Sequence, residues 1–151
     1  MVTDSTKGRR VDRVGVVASV GDLAMVPLFS SLDEEQLAKL ADWFHVQNAN
    51  EGVRLVGEGA PGYTFFVLIE GTAAVTSEGQ TLAVLTPGDF FGEVAILGDG
   101  RRTATVTSLS PARLLVLFGT EFRQLEAAHP EIASRIAETM QARAGQIAEL
   151  A

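Results

Sequence analysis

Glu93 and Arg102 are the residues of this chain best suited to chemistry. They stand nine positions apart with a Gly98-Asp99-Gly100 turn between them, so the chain can double back and bring both side chains to one cavity. A guanidinium presents a permanently charged fork of donors, which matches phosphate oxygens and neutralises the single charge of a phosphodiester. A carboxylate only accepts, so Glu93 suits a ligand hydroxyl. Glu93 to Leu97 has room for one helical turn before Gly98 stops it, and nearly all the N–H groups of so short a helix lack partners. Such a start, with its positive partial charge, favours a phosphate. Thr103 adds a hydroxyl beside Arg102. Taken singly, each residue has a plainer reading: Arg102 as a surface arginine paired with Asp99 or Glu93, Glu93 as a carboxylate favoured by a helix start, Thr103 and Thr105 as strand formers.

The elements that must position these residues are legible in the punctuation of the chain. Ten of the 15 glycines lie between Gly52 and Gly100, which makes the middle turn-rich and leaves both flanks helical. The middle reads as strands at Arg54 to Val56, Tyr63 to Glu70, Thr72 to Ser77, Gln80 to Leu85, Thr103 to Leu109 and Ala112 to Phe118. Short strands so evenly spaced predict a compact antiparallel roll. The run from Tyr63 to Ile69 is apolar on both faces, as expected of a strand packed inside the roll and against a helix. Ahead of the roll, Val11 to Met25 reads as a weak helix ended by Pro27, and Asp33 caps a second carrying Leu37, Leu40, Ala41 and Phe44. Behind it, Phe122, Leu125 and Ala128 mark a short helix, and Pro130 starts a long one with Ile132, Ile136, Met140 and Ile147 as its stripe. Core packing is the favoured reading of that stripe, a dimer seam the alternative. The fold class is α+β, mainly β: a jelly-roll-like antiparallel β-roll, or double-stranded β-helix, flanked by N-terminal helices and a C-terminal helix pair.

Composition narrows the functions available. At 151 residues the chain fits one domain, with residues 1–25 read as a tail and weak helix and residues 26–151 as the domain proper. A net charge of −7 would repel a polyanion, so nucleic acid is not an expected partner. No apolar run is long enough for a signal peptide or a membrane span, and a cytoplasmic location is the default expectation. There is no cysteine, and the only histidines, His45 and His129, are too few for a histidine-built metal site. A metal-dependent cupin enzyme is therefore disfavoured. Trp43 reads as core packing.

The segment Phe91-Gly92-Glu93-Val94-Ala95-Ile96-Leu97, followed by Arg102-Thr103-Ala104-Thr105-Val106, resembles the phosphate-binding cassette of the cyclic-nucleotide-binding domain family. This is the family of the catabolite activator's sensor half, kinase regulatory subunits and cyclic-nucleotide-gated channels. Pro27-Leu28-Phe29, the glycines of Glu58 to Gly62 and the run Phe66 to Gly71 extend the likeness over roughly residues 26–140. Tyr63, where many members are acidic, and Arg101, where proline is common, depart from the pattern. The resemblance implies a non-catalytic sensor binding cAMP, or alternatively cGMP, with no cofactor. Glu93 would take the ribose 2′-hydroxyl, Arg102 the exocyclic phosphate oxygens, and the amides of Ala95 and Ile96 the remaining oxygens, with Gly92, Val94 and Ala104 completing the cassette. Thr103 would stand beside phosphate and base. Val84 and Leu85 are expected against the purine face by their apolar character, and Arg143, on the long last helix, would cap the base. Two alternatives stay open: a domain of the same fold that has lost binding and docks or dimerises through residues 130–150, or a regulatory part of a larger channel, kinase or transferase.

Overall fold

The computed structural model describes residues 18–57, 64–92 and 104–150, with residues 143–150 described as helix backbone. Helix α1 (Val20–Ala24) and a 3-10 turn (Pro27–Phe29) precede helix α2 (Glu34–Ala41). Eight strands follow among the described residues: β1 (His45–Ala49), β2 (Arg54–Val56), β3 (Thr64–Glu70), β4 (Ala73–Ser77), β5 (Gln80–Leu85), β6 (Phe90–Phe91), β7 (Thr105–Ser108) and β8 (Ala112–Phe118). Helices α3 (Gly119–Ala128) and α4 (Pro130–Leu150) close the order.

The strands form two antiparallel four-stranded sheets, ordered β1-β8-β3-β6 and β2-β7-β4-β5. Phe66 and Leu68 of β3, Leu114 and Val116 of β8, and Phe91 of β6 meet Ala73, Val75, Leu85 and Val106 of the other sheet, and this cluster is the interior of the roll. The alternate residues Phe65, Val67, Ile69, Leu115 and Leu117 face the opposite way, into a second core with Leu23, Leu40, Phe44, Phe122, Ile132, Ile136 and Met140 of the helical layer. β3 is thus apolar on both faces because it has a core on each. Burying each such side chain stabilises the fold by about 1.5–3 kcal/mol.

The helices start where side chains cap them. Gln36 N–H donates to Asp33 Oδ1 at 2.8 Å and Asp33 N–H to Gln36 Oε1 at 3.0 Å, a reciprocal box at the start of α2. Ser19 and Asp22 repeat it at α1, which starts at Val20 rather than at the expected Val11, residues 11–17 lying outside those described. Leu23 is fully buried, and Arg113 of β8 donates to both Asp22 oxygens at 3.0 and 3.1 Å. Ala18 and Leu23 thus pack in the helical core. Burial alone would push the Asp22 carboxyl up, but the hydrogen bonds from Arg113 and Ser19 and the Arg113 charge together hold it below its ordinary value.

The chain turns from α3 into α4 at His129, before Pro130, which opens α4 where its missing N–H is harmless. Ile132, Ile136 and Met140 are buried in the helical core, whereas Ala128, expected on the apolar face of α3, is exposed. The Ile147 side chain lies outside the described residues.

Candidate functional site

The segment expected to carry the chemistry leaves one sheet and enters the other. β6 is the edge strand of the first sheet, and β7 lies between β2 and β4 in the second. Residues 93–103, with Glu93 to Ile96, Arg102 and Thr103 among them, lie outside the described residues. What the structure fixes is the frame at either end.

On the near side, Thr86-Pro87-Gly88-Asp89 forms a tight turn: Asp89 N–H donates to Thr86 O at 3.0 Å, and Gly88 has φ 101°. Proline then a positive-φ residue is the signature of a type II turn. The turn is tied to β3 by Leu68 N–H donating to Asp89 O at 2.8 Å and Gly88 N–H donating to Leu68 O at 2.7 Å. Asp89 Oδ2 also accepts from Thr86 N–H at 2.8 Å. β6 follows with only two residues, but each is anchored in a different core. Phe90 packs against Phe65 in the helical core, and Phe91 stacks on Phe66 inside the roll with ring centroids 4.8 Å apart and planes 10° from parallel. Gly92 comes next, buried and at φ 79°, a left-handed backbone that a Cβ would strain. Glu93 directly follows this fixed point.

On the far side, Ala104 packs against the roll interior and Val106 is buried in it, opposite Val75 of β4 and Val56 of β2. Arg102 is two residues from Ala104. Thr105, the last expected strand former before the core, does sit in β7, paired with Thr76. The two walls that hold the segment are packed sheets, whose usual separation is about 10 Å.

The part of the roll that remains partly open is apolar. Ala49, Leu55, Val56, Leu82, Ala83 and Ala104 lie on its interior, half-buried against the core, and offer a nonpolar face to a flat ring. Val84, expected against the purine, is 52% exposed and pairs with Ala74, while Ala83 and Leu85 on either side of it turn inward. Adjacent strand residues point to opposite faces, so Val84 and Leu85 cannot both line the interior. A register shift against Val75 and Thr76 leaves Leu82 as an extra residue in β5, which turns both Leu82 and Ala83 towards the core. Arg143 falls on α4, its side chain outside the described residues.

The histidines serve the helical layer. His45 Nε2 lies 2.8 Å from Glu121 Oε2, whose other oxygen accepts from Phe118 N–H at the start of α3, and His129 meets the edge of Trp43. Among the described residues there is no group of three or more histidine and acidic side chains that could hold a metal, and no helix long and apolar enough to cross a membrane.

The frame just described coincides with a family match: the cyclic nucleotide-binding domain matches residues 46–129, from β1 to the junction of α3 and α4. The cGMP-dependent protein kinase, isozyme 1, of Drosophila melanogaster is 36% identical over 115 residues, covering 71% of this chain and 15% of that protein. The cAMP-dependent protein kinase regulatory subunit of Yarrowia lipolytica is 37% identical over 107 residues, covering 70% of this chain and 28% of that protein. A solved structure of PKAR CBD2 bound to Sp-2Cl-cAMPS matches with a TM-score of 0.74 and 25% identity, over 85% of this chain and 84% of that one. The chain thus spans less than a third of either kinase-related protein.

Proposed function

The chain belongs to the cyclic nucleotide-binding domain family, and from that premise we propose that segment 93–103 holds cAMP, or alternatively cGMP, in a sensor that performs no chemistry of its own. The observation that carries this reading is the frame: Gly92, fixed by the Phe66–Phe91 stack, stands on one wall of the roll, and Ala104 on the other. Glu93 and Arg102 are within two residues of these points. Glu93 accepts from the ribose 2′-hydroxyl, Arg102 neutralises the cyclic phosphate, and the N–H groups of Ala95 and Ile96 take the remaining oxygens. Thr103 stands between phosphate and base, and Arg143 of α4 caps the base. The half-buried interior residues Leu82 and Ala83 replace Val84 as the apolar face against the purine.

A ligand that prefers one position of α4 over another shifts the population towards it, and this is the proposed output. In a larger protein that shift would act on a kinase, channel or transferase partner; the two relatives described above are a protein kinase and a protein kinase regulatory subunit. Titration calorimetry with both cyclic nucleotides tests the reading. Saturable heat from at least one, lost in Arg102→Ala, is expected; no heat from either at high micromolar concentration refutes it and leaves a docking module of the same fold.

A further inference from the structure

One surface feature has no part in the ligand site. Between α3 and α4 runs a groove of about 310 Å³. Glu126 of α3 forms one wall, Ser134, Glu138 and Gln141 of α4 the other, and Ala133 and Ala137 lie beneath. It is floored by alanines and flanked by carboxylates. Glu126 pairs with Arg123 at 3.1 Å, but both side chains are about half exposed, and a surface pair of this kind is readily exchanged.

We propose that this groove is the docking site of the chain's own N-terminal arm, residues 9–17. Two independent observations lead there. The first is position: Ala18, the first described residue, donates its N–H to Phe44 O at 3.3 Å. Trp43, next to Phe44, meets the ring of His129, and His129 adjoins Pro130 at the end of the groove. The arm therefore joins the fold on the side of the groove's Pro130 end. From Pro130 to Glu138 an α-helix rises about 12 Å, and the eight residues from Ala18 back to Arg10 span about the same length when helical.

The second observation is charge and pattern. Residues 9–17 carry Arg9, Arg10 and Arg13 against Asp12 alone, a net charge of +2 in a chain of net charge −7. Arg10, Arg13, Val14 and Val17 recur at the spacing of one helix face. Valines on the alanine floor with arginines against Glu126 and Glu138 complete both halves of the groove, whereas a second copy of this acidic chain brings its net negative charge to the same place. The docking does not depend on the nucleotide reading.

The absence of cysteine makes disulfide trapping a clean test in the full chain. Val14→Cys is paired either with Ser134→Cys in the groove or with Gln80→Cys on β5 as a distant control. We expect the intramolecular bond to form at least ten-fold faster in the first pair. Glu126→Lys with Glu138→Lys should slow it at least ten-fold, and adding Arg10→Glu with Arg13→Glu should restore it. Glu126→Gln with Glu138→Gln repeats the comparison should the reversal disturb folding. A trapping rate indifferent to these charges overturns the proposal, since tethering alone would then account for it. Bonds formed only between molecules overturn it in favour of a second copy as the occupant.

Discussion

Gly92 carries a burden out of proportion to its size. It sits buried at φ 79° immediately after the two anchored phenylalanines, so its backbone sets the direction in which Glu93 departs. Gly92→Ala imposes the left-handed penalty of about 1–2 kcal/mol on a side chain with a Cβ, and should lower both the urea midpoint and cyclic-nucleotide affinity. A variant that keeps both values would show that the turn can be made another way. Arg102 has the opposite character: its substitution should spare the fold and strike the ligand. Arg102→Ala is expected to weaken binding by about 2 kcal/mol, roughly 30-fold, because a buried phosphate loses its partner. Arg102→Lys should recover little, since a point charge cannot replace the fork. Calorimetry on the parent and both variants decides this; parental affinity in Arg102→Ala rules out the proposed anchor.

Among the elements, α1 makes the clearest claim about pH. The Asp22 carboxyl is held below its ordinary value in the folded chain, so the fold favours its charged form. Its contribution is complete above the unfolded value and disappears as pH falls through the folded one. Asp22→Asn should therefore cost about 1 kcal/mol at pH 7, a figure modest because Arg113 is about one-third exposed. The gap should narrow from about pH 5 downward, and a gap of constant size in urea melts at pH 7 and pH 3 would assign the effect to something other than ionisation. Most of the strands were legible because Gly, Pro and Asp separate them: β2, β5 and β8 have the bounds their flanking residues predict. β1 was not, because His45-Val46-Gln47-Asn48-Ala49 has no clean apolar alternation and owes its place to pairing with β8. β6 was not because two residues carry no period. The expected N-terminal helix is interrupted at Ala18 and Ser19, where capping by Ser19 and Asp22, a local hydrogen-bond pattern, starts α1 at Val20. At the site, the motif was readable as a string, but the face of β5 was not: the register shift at Val75 and Thr76 changes which side chains turn inward, and only pairing reveals it.

At the scale of the whole molecule, the two cores share one wall. Phe91→Ala empties the stack inside the roll and should cost about 3–5 kcal/mol, with a loss of ligand affinity greater than any distant core truncation of equal cost. Cyclic nucleotide at 100 times its dissociation constant should stabilise the domain by about 2.7 kcal/mol. For a domain of this length that raises the melting temperature by about 5–11 °C, and a scan with each nucleotide ranks the two directly. An unchanged melting temperature with both would count against binding. The shared wall also has a kinetic corollary. Because β3 and β8 are sealed on both sides, their amide protons have no local route to solvent and should exchange with deuterium only when the entire domain opens. Deuterium uptake at Val67, Leu114 and Leu115 would then serve as a built-in clock for global unfolding. Any slowing elsewhere that outpaces this clock when nucleotide is added belongs to local closure, and its map along the chain would trace where the bound state tightens.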